Sequence, residues 1–196
     1  MISPALSRRA WLTGAGLAAC GYLAAGHAEA APAGYVTPGG TVTPGLAPGL
    51  RSRVLTTYPD GTKDYLLAFG KGDEVFSGLT EFAEKEGLHA ARLQAIGAFR
   101  SARFAWFDAA RKAYREVPVN EQVEVCSLLG DIGLAGEKPQ VHVHGVIGLP
   151  DGTTRGGHLL EAHAWPTLEL FLTAWPKALV KKRDEETGLS LFDPTL

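Results

Sequence analysis

The chain has 196 residues, 45% hydrophobic and 20% charged, a balance that excludes a disordered chain and fits one globular domain. Nineteen Lys and Arg against 21 Asp and Glu give a net charge of −2, so there is no basic excess to hold a phosphate backbone. Two cysteines exclude a disulfide-dense scaffold, and no apolar run reaches the length of a membrane-spanning helix.

Ser7-Arg8-Arg9-Ala10-Trp11-Leu12 leads into a mildly apolar, Gly- and Ala-rich stretch from Leu12 to Ala25. Residues 1–30 resemble a twin-arginine export signal, with Trp11 in the aromatic place and Ala28-Glu29-Ala30 as an A-x-A cleavage site before Ala31. Leu17-Ala18-Ala19-Cys20-Gly21 also resembles a lipobox, in which Cys20 would carry a lipid and become the first residue. Both processings imply a periplasmic or exported protein that touches a membrane only through a lipid at Cys20. The twin-arginine route carries folded cargo, which suits a protein loaded with metal before export. Loss of residues 1–30 removes Arg8, Arg9 and Glu29 and leaves 17 positive against 20 negative groups, a net of −3. His27 leaves with the signal. Cys126, in the apolar run Val123 to Leu129, reads as a buried structural thiol.

Residues 31–50 alternate Pro32, Pro38, Pro44 and Pro48 with glycines, which predicts a solvated linker. The domain then spans 51–193. Arg51 to Tyr58 is β-rich, Pro59-Asp60-Gly61 is a turn, and Asp64 to Phe69 is a second strand. Asp73 to Glu86 has helical spacing, with Val75, Leu79, Phe82 and Ala83 on the inner face and Asp73, Glu74, Glu81 and Glu84 facing water. Gly87 ends that helix. Strands are expected at 91–96 and 102–108 around Gly97, at 113–117, 122–129, 141–149, 157–164 and 167–174. Pro166 and Pro176 bound the last of these. Residues 179–183 and 189–192 flank Asp184-Glu185-Glu186-Thr187-Gly188 as a closing hairpin. Many strands and one main helix imply an α+β fold around an antiparallel β-sheet.

Val141-His142-Val143-His144-Gly145 sets two imidazoles on one face of a strand. Pro150-Asp151-Gly152 suits a three-residue hairpin that pairs Leu149 with Thr153. Counting outward, His144 faces His158 and His142 faces Leu160, so His142, His144 and His158 converge on one face. A slip of one residue would instead bring in His163. Gly156 and Gly157 leave room beside His158 for a bulge, an ion or another chain. Three neutral imidazoles with an open fourth position suit Zn2+ or another divalent transition metal. His89 reads as structural. Glu161 lies on the opposite face, where it could act as a general base only across a subunit boundary. Glu169 is a further polar neighbour of this hairpin.

The string Val141-His142-Val143-His144-Gly145, Asp151-Gly152, Gly156-Gly157-His158-Leu159 and Thr167-Leu168-Glu169 resembles the PPC domain (plants and prokaryotes conserved). The likeness runs from about Arg51 to Asp193. It implies a compact α+β domain that assembles as a homotrimer, with zinc at the positions of His142, His144 and His158. In plants the domain accompanies AT-hooks in DNA-binding proteins, but this chain has no Arg-Gly-Arg-Pro hook and no basic patch. Nucleic acid is therefore not an expected partner. The leading expectation is an exported, metal-binding homotrimer with room for a small-molecule ligand at the metal. A metal-dependent hydrolase or lyase is the second reading, and a DNA-binding or assembly module the third.

Overall fold

The computed structural model describes residues 32–39 and 42–195. The export signal, the cleavage point at Ala31, Cys20 and His27 lie outside the described residues. The elements in chain order are β1 (Tyr35–Val36), β2 (Arg51–Thr57), β3 (Lys63–Phe69), α1 (Val75–Glu86), β4 (Ala90–Asp108), β5 (Ala113–Val119), β6 (Val123–Ala135), β7 (Lys138–Gly148), β8 (Thr154–Ala174), β9 (Val180–Arg183) and β10 (Ser190–Phe192). Strand follows strand as β1-β5-β4-β6-β7-β8-β3-β2, and β4 also pairs with β8. The ring β4-β6-β7-β8 therefore closes on itself, which removes the free edges of the four strands that build the core. Among the described residues, only β6 and β9 pair in parallel.

Strand alternation fills the ring. Phe104, Leu128, Val143, Ile147 and Leu159 are essentially fully buried, each contributing about 1.5–3 kcal/mol relative to exposure. Helix α1 adds Val75, Leu79 and Ala83 to the same core. The outer, helix-free face carries exposed apolar side chains, among them Ile96, Leu129 and Phe171.

Two expected strand pairs are single long strands. Residues 91–96 and 102–108 join as β4, and 157–164 and 167–174 join as β8. The ladder between them absorbs the breakers: its register shifts between Gly97 and Phe99 and again before Ser101, opposite the stretch that holds Pro166. A bulge lets a proline sit in a strand without an orphaned ladder position.

The helix begins at Val75, and Asp73 and Glu74 are buried rather than facing water. The reason is capping. Glu74 accepts from the backbone N–H groups of Phe76 (3.1 Å), Ser77 (2.6 Å) and Ala162 (3.0 Å). Asp73 accepts from Gly49 and Gly70, both at 2.8 Å. Carboxylates buried in this way replace water with N–H donors that have no partner inside the helix.

The stretch expected to be a free linker meets the domain twice. Tyr35–Val36 pairs with β5. Ala47 and Leu50 pack on the core, and Glu74 N donates to Leu46 O at 2.8 Å. Cys126, expected to be buried, is exposed. The β6–β7 register shifts between Val125 and Ser127, so Cys126 is the extra residue of a bulge and turns outward.

Candidate metal centre

The hairpin that carries the histidines forms with the register the turn chemistry predicts. Leu149 N donates to Thr153 O at 2.8 Å, Gly152 has a positive φ of 81°, and His144 pairs with His158. The ladder stops at that pair, so His142 has no cross-strand partner on β8. Beyond it β8 leaves β7 and follows β4, with His158 opposite Ala105. The room beside His158 is taken by backbone. A Cβ on Gly156 would collide with the carbonyl of Gly145, and one on Gly157 would lie 2.5 Å from the carbonyl of Ala105.

His142, His144 and His158 come together. One ring nitrogen from each lies within 4.8 Å of the others, and the ring centroids stand 5.0, 5.2 and 5.4 Å apart. Two nitrogens bound to one tetrahedral ion sit roughly 3.4 Å apart, so modest ring rotations separate this arrangement from a closed triad. Tyr114 of β5 stacks on His158 at 4.5 Å with the planes 12° apart. Burial, and then the neighbouring His142, His144 and Lys181, push the His158 pKa down to about 3. Burial and His142 also lower His144. His158 is thus neutral at pH 7, the form that offers a lone pair to a metal, and His144 is shifted in the same direction. His158 Nδ1 is buried with no hydrogen-bond partner. A polar atom left in that state costs about 1–3 kcal/mol, and a divalent ion bound by three imidazoles would satisfy it. The residues present fit the group.

His163 stays out of the cluster. It lies 3.1 Å from Glu161 Oε1 and 3.4 Å from Gly72 O. Glu161 also pairs with Arg103 at 3.0 Å, so within the chain its carboxylate already has two partners. Exposed Glu169 lies on β8 opposite Ile96 and Ala68. His89 is exposed, and its carbonyl accepts from Leu179.

Three further residues, which the histidine motif does not include, stand beside the cluster: Tyr114, Asp131 and Lys181. Asp131 Oδ2 lies 3.3 Å from His142 Nδ1, and its Oδ1 lies 2.5 Å from Lys181 Nζ. The signal for Asp131 was present. Gly136-Glu137 forms a two-residue hairpin between Ala135 and Lys138, and counting back from it sets Asp131 opposite His142.

The Plants and Prokaryotes Conserved (PCC) domain matches residues 56–176. The chain belongs to this family. Among solved members of the PCC fold, a metal-containing protein from Archaeoglobus fulgidus is 36% identical, with a TM-score of 0.63 over 67% of this chain and 93% of that one. A plant- and prokaryote-conserved protein from Pyrococcus horikoshii is 26% identical, with a TM-score of 0.63 over 73% of this chain and 94% of that one. A candidate DNA-binding protein from Bacteroides thetaiotaomicron shares the fold alone, at 22% identity and a TM-score of 0.67 over 74% of this chain and 99% of that one. No curated protein matches the chain. The PCC match begins after β1 and most of β2.

Proposed function

We propose that this PCC-domain protein is exported and binds one divalent transition metal per chain, zinc first among them, through His142, His144 and His158. The observation that carries the reading is the His158 ring, with a buried, partnerless Nδ1, clustered with two further imidazoles. The relative from Archaeoglobus fulgidus described as metal-containing supports it. When bound, such an ion supplies Lewis-acid character to whatever small molecule reaches it. The chain's own residues hold the lone pairs free: burial keeps His158 neutral, and Tyr114 fixes the plane of its ring.

The same reading includes a homotrimer. His144 stands opposite Leu129, Leu129 opposite Gln94, and Gln94 opposite Phe171, so one row of the outer face runs from the histidines into exposed apolar surface. Leu129 is 57% and Phe171 51% exposed in the single chain. Large apolar side chains in such a row favour cover by another copy.

The test is elemental analysis of protein purified without a histidine tag, alongside light scattering. One equivalent of metal per chain, lost in His144→Ala while the assembly persists, supports the reading. Only traces of metal in the wild type overturn it. Retarded DNA migration that weakens with salt would favour the nucleic-acid reading instead.

A further inference from the structure

Lys181 is a cation with almost no access to water: its side chain is 2% exposed. It comes from β9, beyond the long strands, and reaches Asp131 Oδ1 at 2.5 Å. The carbonyl of Gln140 (3.4 Å) and the ring of Phe192 (4.7 Å to the centroid) complete its surroundings. A buried ammonium needs a carboxylate beside it, and Asp131 is the acidic group within ion-pair distance among the described residues. The other oxygen of Asp131 lies 3.3 Å from His142 Nδ1. A carboxylate at that place favours a proton on the nitrogen that faces it.

From this geometry, and resting on the metal reading above, we infer that Asp131, clamped by Lys181, is the positioning residue of the site: it selects the Nδ1–H form of His142 and so aims Nε2 at the ion. An imidazole that donates its second N–H to a carboxylate is fixed in orientation and made a better ligand, and loss of such a partner costs ten- to a hundredfold in metal affinity. Lys181 acts one step further out. Without it, Asp131 is free to rotate away from the ring or to take up a proton. Because Lys181 lies on the β9–β10 hairpin and His142 on β7, seating of the C-terminal hairpin and ligation are linked through a single carboxylate.

The experiment uses the full chain as wild type, Asp131→Asn, Lys181→Met and the double variant. Zinc affinity is read by chelator competition, and the His142 tautomer by nitrogen-15 NMR of metal-free protein above pH 8. The expected result is a ten- to hundredfold weaker zinc affinity for Asp131→Asn at unchanged stoichiometry. Lys181→Met should weaken binding less, and the double variant should match Asp131→Asn, because Lys181 works through Asp131. His142 should carry its proton on Nδ1 in the wild type and shift toward Nε2 in Asp131→Asn. A carboxylate that served only to anchor the hairpin would leave the tautomer unmoved. Affinity within twofold of wild type together with an unchanged tautomer overturns the inference. Failure of the wild type to bind zinc overturns the parent reading, whereas the tautomer shift is read without any metal and judges Asp131 separately.

Discussion

Acidifying the metal-free protein from pH 8 to pH 5 tests whether His158 is truly held neutral by its surroundings. In the unfolded chain His158 titrates at its ordinary value of 6.5, and in the folded chain at about 3. Above 6.5 both states are neutral and the ring contributes no pH dependence. As pH falls below 6.5 the unfolded state takes up a proton that the folded state refuses, so stability declines until about pH 3, where both are charged. Over the window down to pH 5 that loss is about 2 kcal/mol. Other groups also titrate, including His144 and several carboxylates with lowered values. They are cancelled by comparison with His158→Phe, which keeps a ring against Tyr114 and places no polar atom where Nδ1 lacks a partner. The assay is urea unfolding of both proteins with chelator present at the two pH values. Wild type should lose about 2 kcal/mol more than the variant. Equal losses would refute the argument, because they would mean that the folded protein protonates His158 as readily as water does.

Three further outcomes follow from the packing. Gly97→Ala should cost about 3 kcal/mol or more in chemical denaturation, because a Cβ there collides with the Thr167 carbonyl and lies 2.8 Å from Leu168 Cα at a φ of +150°. Gly72→Ala, at φ +86° in open space, should cost only about 1–2 kcal/mol, and equal costs would sink the close-approach explanation. Glu74→Ala should destabilise by about 2–4 kcal/mol through three orphaned N–H groups, while exposed Glu84→Ala should stay within about 0.5 kcal/mol; a small effect at Glu74 would show that water replaces the cap. Exposed Cys126 should react with a thiol reagent in the native protein, and Cys126→Ser should remove one equivalent; reaction only after unfolding would restore the buried-thiol reading.

What could be read from the chain depended on how local the cause was. Pro150-Asp151-Gly152 sets its own backbone geometry, so the meeting of His144 with His158 was legible three residues at a time. The amphipathic face of α1 was legible for the same reason. Asp73 and Glu74 were misplaced because a carboxylate one turn before an apolar helix face reads as solvated unless its distant donors, Gly49 and Ala162, are known. Cys126 followed the apolar run until a bulge shifted the alternation by one. Docking of Ala47 and Leu50, the closure of β4 on β8 and the arrival of Lys181 beside Asp131 are contacts between remote segments, which no window of neighbouring residues reports.

The β4–β8 ladder joins residues 53 apart at Ala105–His158 and 83 apart at Ala91–Ala174. Loops of that span close slowly, so the central seam of the molecule is expected to zip late in folding. The hairpin bearing all three histidines needs only a tight turn and forms on a microsecond scale. A nascent chain would thus display its cluster of imidazoles before its interior is sealed.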